Sequence, residues 1–162
     1  MQVMLKFRLK CTPQAAWEAL HSPSVGFELY GPVIRVQPVD PLPRRWQSGD
    51  HAVIALKLFG AFPLGVQSIK IHDYESQFDG QRVRIMRDHG GPLSGPLSLL
   101  RHWDHQMGIS EVPNHPNKTV WRERLEIDGV VAPLFFPVLW VIWQLRARRL
   151  RRLAKRWQSN TQ

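Results

Sequence analysis

The chain has 162 residues, 43% of them apolar and 10% aromatic, which predicts one globular domain over residues 1–162 and excludes a disordered polypeptide. A single cysteine, Cys11, excludes an internal disulfide bond and a paired-cysteine metal or redox site. Residues 146–156 hold seven of the 22 Lys and Arg residues. The rest of the chain has 15 basic and 13 acidic residues, so its net charge is only +2. The net charge of +9 is therefore a local patch.

The N-terminal region predicts a strand followed by two short helical segments. Residues 1–10 alternate apolar and basic side chains, which is typical of a half-buried strand, and they lack the apolar run of a signal peptide. We therefore expect a cytoplasmic location. Thr12 and Pro13 suit the cap and the first position of a helix, which Ser22-Pro23 ends. A second short helix or turn follows.

The middle of the chain predicts strands separated by turns. Gly49-Asp50 and Asp79-Gly80 are turn signals, and alternating apolar residues follow each of them. We expect an early strand near 33–36, further strands at 51–59, 66–74 and 81–87, a hairpin tip at 60–65 and a loop at 89–96. Short strands in series, with helices at both ends of the chain, predict an α+β fold with an antiparallel sheet of about six to seven strands.

Residues 99–109 and 118–128 predict the last two strands, with a loop at 113–117 between them. A period of two puts two sets of side chains on one face of this hairpin: Trp103, His105, Met107 and Ile109 on the first strand, and Thr119, Trp121, Glu123, Leu125 and Ile127 on the second. If Ile109 lies opposite Thr119, then Met107 faces Trp121 and His105 faces Glu123.

His105 and Glu123 would then form a polar pair on an apolar, aromatic surface. A carboxylate beside an imidazole can raise the imidazole pKa and fix its tautomer. Three roles are open for the pair: a buried hydrogen bond that orders the sheet, a polar anchor for a ligand, or an acid/base pair. A slip of one residue in the register would separate the two side chains.

The sequence carries no nucleophile–base motif, no phosphate-binding loop and no zinc-ligand spacing. We therefore assign no catalytic residue, and we expect no metal and no cofactor.

The C-terminal region predicts a long helix that begins near Pro133 or Pro137 and ends near Trp157. At 100° per residue, one apolar stripe contains Phe136, Leu139, Trp143, Ala147, Leu150, Ala154 and Trp157, with Arg146 at its edge. The basic residues lie opposite. In the first half of the helix, the outward side is apolar as well, at Val138, Val141 and Leu145. The same chain, a second copy in a homodimer or a membrane surface could cover it. Residues 130–145 are too few for a membrane span.

The chain resembles the START-like superfamily, also called SRPBCC or Bet v 1-like proteins, which includes polyketide cyclase-like members. The resemblance extends over nearly the whole length and rests on residues 1–20, 95–97, 103–107, 119–127 and 148–153. It implies a helix-grip fold, in which a curved seven-stranded antiparallel sheet wraps a long C-terminal helix around a cavity. Members bind lipids, sterols, polyketides or other apolar molecules, and some are cyclases, hydrolases or ring-hydroxylase subunits.

The resemblance also bears on individual residues. Glu123 stands where many members have Asp, at a position that faces the cavity in the family fold. Where members often have His-x-His, this chain has His102, Asp104 and His105 out of step. This departure from the family pattern weakens an inherited catalytic role.

Three functional hypotheses follow. The leading one is a carrier or sensor that binds a hydrophobic or amphipathic, lipid-like molecule through Trp103, His105, Met107, Trp121, Glu123, Leu125, Phe136, Leu139 and Trp143. The second is a small cyclase or dehydratase that uses His105 and Glu123. The third is peripheral association with an anionic membrane, at its inner surface, through Arg148, Arg151, Arg152 and Lys155. No motif that reads DNA or RNA accompanies the basic patch, which argues against nucleic acid.

Overall fold

The computed structural model describes residues 1–157, and its elements follow the predicted order of strand, two helices, several strands and a long helix. The elements are β1 (Gln2–Leu9), α1 (Pro13–Leu20), α2 (Pro23–Tyr30), β2 (Ile34–Pro38), β3 (His51–Leu58), β4 (Phe62–Phe78), β5 (Gln81–Asp88), β6 (Gly91–Pro92), a 3₁₀ turn (Pro96–Leu99), β7 (His102–Val112), β8 (His115–Asp128) and α3 (Ala132–Trp157). The predicted domain of residues 1–162 includes 158–162, which lie outside the described residues.

The first short helix begins as the sequence predicts. The Oγ1 atom of Thr12 accepts a hydrogen bond from the Ala15 N–H at 3.2 Å, and Pro13 occupies the first turn of α1. Pro23 likewise occupies the first turn of α2, but the Ser22 side chain makes no capping hydrogen bond. The second segment is thus a helix rather than a turn.

The sheet is antiparallel, with the strand order β1-β8-β7-β5-β4-β3-β2, and β6 pairs with β4 at the side of this path. The 17-residue strand β4 is shared along its length: its first part, to Lys70, pairs with β3, and its last part, from Ile71, pairs with β5. One long strand thereby joins two parts of the sheet, which curls around α3. The predicted helix-grip architecture is confirmed.

Several predicted bounds shift. β4 begins at Phe62, so the β3–β4 tip contains only residues 59–61, where Phe59 and Gly60 both have positive φ. β7 begins at His102 and not at residue 99, because Leu99 is the last residue of a 3₁₀ turn (Pro96–Leu99).

The register predicted for the last hairpin is wrong by two residues. Ile109 lies opposite Trp121, not Thr119, and His105 lies opposite Leu125, not Glu123. The predicted loop at 113–117 is wrong too, because the strands continue to Val112 and from His115. Glu111 pairs with Thr119 but Val112 pairs with His115, so an irregularity in the pairing beside Val112 accommodates the additional residues of β8. A shift of two preserves the side-chain faces, so the buried faces of both strands are those predicted.

Helix α3 lies across the concave face of the sheet. It begins at Ala132 and ends at Trp157, as predicted, and it buries Leu139, Trp143 and Leu150. Phe136 is only half-buried. Within residues 1–157, no helix is both long and apolar enough to cross a membrane.

Candidate functional site

A pocket of about 430 Å³ lies between the concave face of the sheet and helices α2 and α3. Its walls are mostly apolar, because inward-facing side chains from β2, β3, β4 and β7 meet one face of each helix. The apolar lining includes Phe27, Ile34, Val36, Ile54, Leu56, Ile69, Trp103, Met107, Trp121, Leu139, Ile142 and Trp143. The polar or charged side chains in the described lining are Tyr30, Gln67, Asp88, His105 and Arg146.

The basic group of the pocket is held in a buried network. Arg146 donates from Nε to Glu123 Oε1 at 3.0 Å and from Nη1 to the Tyr30 hydroxyl at 2.6 Å, and its Nη2 contacts Met107 Sδ at 3.5 Å. The Nε1–H of Trp121 donates to the same Glu123 oxygen at 3.0 Å. Burial alone would lower the pKa of Arg146, but the Glu123 carboxylate and Tyr30 outweigh it, so that the pKa is raised. Arg146 is therefore a charged but already paired group.

The predicted His105–Glu123 pair is not formed. Both residues are buried on the inner face, as predicted, but Glu123 is bonded by Arg146 and Trp121, and His105 has Leu125 as its cross-strand neighbour. The expectation of a raised imidazole pKa is wrong as well: burial, and then the charge of Arg146, lower the pKa of His105 well below its ordinary value.

Three aromatic side chains form a cluster in the pocket wall. The ring centroid of Trp143 lies 5.2 Å from that of His105 and 6.1 Å from that of Trp103, both in edge-on arrangements. Trp103 Nε1, His105 Nε2 and Trp143 Nε1 are buried, and none has a hydrogen-bond partner among residues 1–157. We call Trp103, His105 and Trp143 the aromatic cluster.

Asp88 lies beside this cluster, because it is the cross-strand neighbour of His105 on β5. Its Oδ1 accepts hydrogen bonds from the N–H groups of Lys70 and Gly90 at 3.0 and 3.1 Å. Burial raises the pKa of Asp88 to about 6, although these hydrogen bonds oppose the change. The carboxyl group of Asp88 is thus ionised above pH 6.

The structure brings together six of the nine predicted binding residues. Trp103, His105, Met107, Trp121, Leu139 and Trp143 line the pocket. Glu123, Leu125 and Phe136 do not line it: Glu123 is covered by Arg146, and Leu125 packs in the core. The predicted exposure of Glu123 to the cavity is therefore corrected.

The pocket wall formed by α2 and β2–β4, which faces β7 and β8, was not predicted from the sequence. The sequence does contain a pattern that indicates this wall, because Ile54, Leu56 and Leu58 alternate along one strand. The position of Arg146 at the edge of an apolar helical stripe likewise indicates a partly buried charge. No sequence pattern points to Asp88, because only the fold brings it beside His105.

Among residues 1–157, no cluster of three His, Cys, Asp or Glu side chains could hold a metal ion.

Comparison with known proteins gives similarity at the level of structure. No protein-family model matches the chain, and no curated protein sequence matches it. A protein of Chromobacterium violaceum is 14% identical, with a TM-score of 0.61, over 94% of this chain and 96% of the other. A protein of Arthrobacter aurescens has a TM-score of 0.66 at 8% identity, over 96% and 86% of the two chains.

A point mutant of norcoclaurine synthase from Thalictrum, in complex with a transition-state analogue, is also similar. It is 11% identical, with a TM-score of 0.59, over 96% of this chain and 94% of the other. The fold is the helix-grip fold. The resemblance to Bet v 1-like proteins is thereby confirmed at the level of the fold.

Proposed function

We propose that the protein binds an apolar or amphipathic small molecule in the pocket between the sheet and α3. The observation that carries this proposal is the pocket itself, with about 430 Å³ of space and a mostly apolar lining. Ligand sites in proteins commonly have volumes of roughly 300–1,000 Å³ and combine apolar walls with a few polar groups. The shared fold with norcoclaurine synthase, a point mutant of which is in complex with a transition-state analogue, supports the same function.

The enzymatic alternative loses its geometric basis. A cyclase or dehydratase acting through His105 and Glu123 would need the two groups in contact, but Arg146 and Trp121 bond to Glu123 Oε1, and among residues 1–157 neither Glu123 Oε2 nor His105 Nε2 has a hydrogen-bond partner. Binding, as a carrier or sensor, is the function that we put forward.

The first experiment is native mass spectrometry of freshly purified protein, followed by titration of the delipidated protein with Nile red, an uncharged apolar dye. We expect a co-purified small molecule and saturable binding of the dye. Leu56→Trp should fill the pocket and weaken dye binding by about tenfold or more, and Ile54→Phe serves as a second filling variant. Val53→Trp is the matched control, because Val53 lies on the same strand but not in the pocket lining.

If both filling variants stay folded and bind Nile red as the wild type does, the dye does not occupy this pocket and the proposal is wrong.

A second proposal concerns the surface of α3, where we infer docking onto an anionic lipid bilayer. One solvent-facing line of residues, spaced by three and four, runs the length of the helix. It is apolar in the first half and basic in the second: Leu134, Val138, Val141, Leu145, Arg148, Arg152 and Lys155. We call these residues the outer stripe. All of them are exposed.

The outer stripe is continuous with the pocket. Leu134 and Val138 line the pocket and are nevertheless 76% and 53% exposed, so the pocket reaches the surface at the start of α3. An apolar patch beside a cationic patch fits the acyl chains and acidic headgroups of a bilayer, and each well-placed Lys or Arg contributes about 1 kcal/mol near an acidic membrane. A ligand could then pass between bilayer and pocket without crossing water.

The membrane proposal is tested by co-sedimentation with phosphatidylglycerol-containing and pure phosphatidylcholine vesicles, at low and high salt. We expect preferential binding to the acidic vesicles that weakens in salt. Combining Arg148→Gln, Arg151→Gln, Arg152→Gln and Lys155→Gln should lower binding by more than about tenfold. The matched control removes four exposed charges elsewhere: Arg8→Gln, Lys10→Gln, Arg44→Gln and Lys118→Gln.

Equal binding to acidic and neutral vesicles at low salt would exclude the membrane role. A different partner would then cover the outer stripe. If that partner is a second copy of the chain, light scattering would give twice the mass of the monomer.

A further inference from the structure

We infer that the ligand carries an uncharged hydrogen-bond acceptor, such as the carbonyl oxygen of a ketone, ester or amide, and that the aromatic cluster binds this group. The inference rests on the proposed binding function and adds the chemical class of the ligand.

The first argument is the set of unpartnered polar atoms. Trp103 Nε1, His105 Nε2 and Trp143 Nε1 are buried in residues that line the pocket, and no group in residues 1–157 bonds to them. Buried polar atoms in proteins are nearly always hydrogen-bonded, because an unmade bond leaves the cost of losing water uncompensated. Three such atoms in one cluster indicate that a bound molecule supplies their partner.

The second argument is the direction of the hydrogen bonds. An indole N–H can only donate, so Trp103 and Trp143 both require an acceptor. His105 is uncharged at neutral pH, since burial lowers its pKa, and a neutral imidazole can place its proton on Nε2. The ring centroid of Trp143 lies 5.2 Å from that of His105 and 6.1 Å from that of Trp103, so the three side chains belong to one cluster. The complement of the aromatic cluster is therefore an acceptor rather than a donor.

The third argument is charge. Arg146 is the charged basic group in the described lining, and Glu123 already pairs with it at 3.0 Å. Asp88, the cross-strand neighbour of His105, is ionised above pH 6. A carboxylate or phosphate in the aromatic cluster would thus gain no free counter-charge and would face a second anion. An uncharged acceptor avoids both costs.

The experiment uses three molecules of nearly the same shape: acetylnaphthalene, with a carbonyl; ethylnaphthalene, without a polar group; and naphthoate, an anion at neutral pH. Each competes with Nile red for the delipidated protein. We expect acetylnaphthalene to bind about tenfold more tightly than ethylnaphthalene, because one or two hydrogen bonds are added, and also more tightly than naphthoate.

The variants Trp103→Phe and Trp143→Phe keep an aromatic ring and remove one N–H each. They should reduce the preference for acetylnaphthalene over ethylnaphthalene, measured as the ratio of the two affinities, to within about threefold. A merely structural role of the tryptophans would lower both affinities together. Trp140→Phe is the matched control, because Trp140 is half-exposed and does not line the pocket.

Each outcome has a distinct meaning. Equal binding of acetylnaphthalene and ethylnaphthalene, or tighter binding of naphthoate, overturns the inference and leaves the binding function intact. A preference for acetylnaphthalene that survives both Phe variants also overturns it. If none of the three molecules displaces Nile red and the filling variants bind the dye normally, the proposed function itself fails.

Discussion

Arg146 on α3 and Glu123 on β8 form an ion pair that is closed off from solvent: Nε lies 3.0 Å from Oε1, and the two side chains are 4% and 0% exposed. The pair joins the long helix to the inner face of the sheet. A buried charge without its partner is strongly destabilising, whereas replacing both charges by apolar groups of similar size can be neutral. The two residues should therefore behave as a unit.

We expect Glu123→Gln to lower the free energy of unfolding by about 3–5 kcal/mol, because it leaves the Arg146 charge buried and unpaired. The double variant Glu123→Leu with Arg146→Met should recover most of this loss in urea unfolding. Arg82→Ala is the control, because the Arg82–Glu75 pair is solvent-exposed, and it should cost less than about 1 kcal/mol. A Glu123→Gln loss as small as that of Arg82→Ala would contradict the prediction.

Trp121→Ala should lower the free energy of unfolding by about 3–5 kcal/mol, as large-to-small changes in aromatic core residues do. Trp121 is 0% exposed, and its indole N–H is bonded to Glu123, so the variant loses packing and a buried hydrogen bond together. Trp140→Ala is the matched control: Trp140 is 49% exposed, and we expect a change within about 0.5 kcal/mol. Urea unfolding decides, and a Trp121→Ala loss below about 1 kcal/mol would show that this site tolerates truncation.

The last hairpin shows what the sequence could predict and what it could not. The period of two in β7 and β8 determines which side chains face inward, so the inner face was predictable. The register depends on the short turn at residues 113–114 and on the irregularity beside Val112, which are properties of the backbone. Because the error was two residues, the faces were right and the His105–Glu123 pairing was wrong.

The helix shows the same limit in another form. Helical geometry predicted the buried stripe of α3 and put Arg146 at its edge. The partner of Arg146 depends on how α3 is turned above the sheet, which the periodicity of a single element does not contain. The pocket wall from α2 and β2–β4 is likewise assembled by contacts between distant parts of the chain.

Asp88 should make the fold less stable as the pH rises from about 4 to 6. Its folded pKa is raised to about 6 by burial, so the folded state holds this proton more tightly than the unfolded chain. Above about pH 6 the Asp88 carboxyl group is ionised in both states, and the folded state bears the full cost of burying its charge. We expect Asp88→Asn, which can still accept the Lys70 and Gly90 N–H bonds, to be more stable than the wild type by about 1–2 kcal/mol near pH 7.5 and nearly equal near pH 4. Urea unfolding across this range tests it, and a difference that does not change with pH would refute it.

His105 should have the opposite effect on stability. Its folded pKa is well below its ordinary value, so acid protonates the unfolded chain first, and stability is lost as the pH falls below about 6.5. The Asp88→Asn background removes the competing titration of Asp88. In that background, adding His105→Phe should improve stability more near pH 5 than it does near pH 7.5. An NMR titration provides the independent check: in the folded protein, the His105 ring resonances should stay in their neutral position over the pH range in which they titrate in urea, near pH 6.5. If the folded resonances move with the unfolded ones, burial does not lower the pKa of His105, and this prediction is wrong.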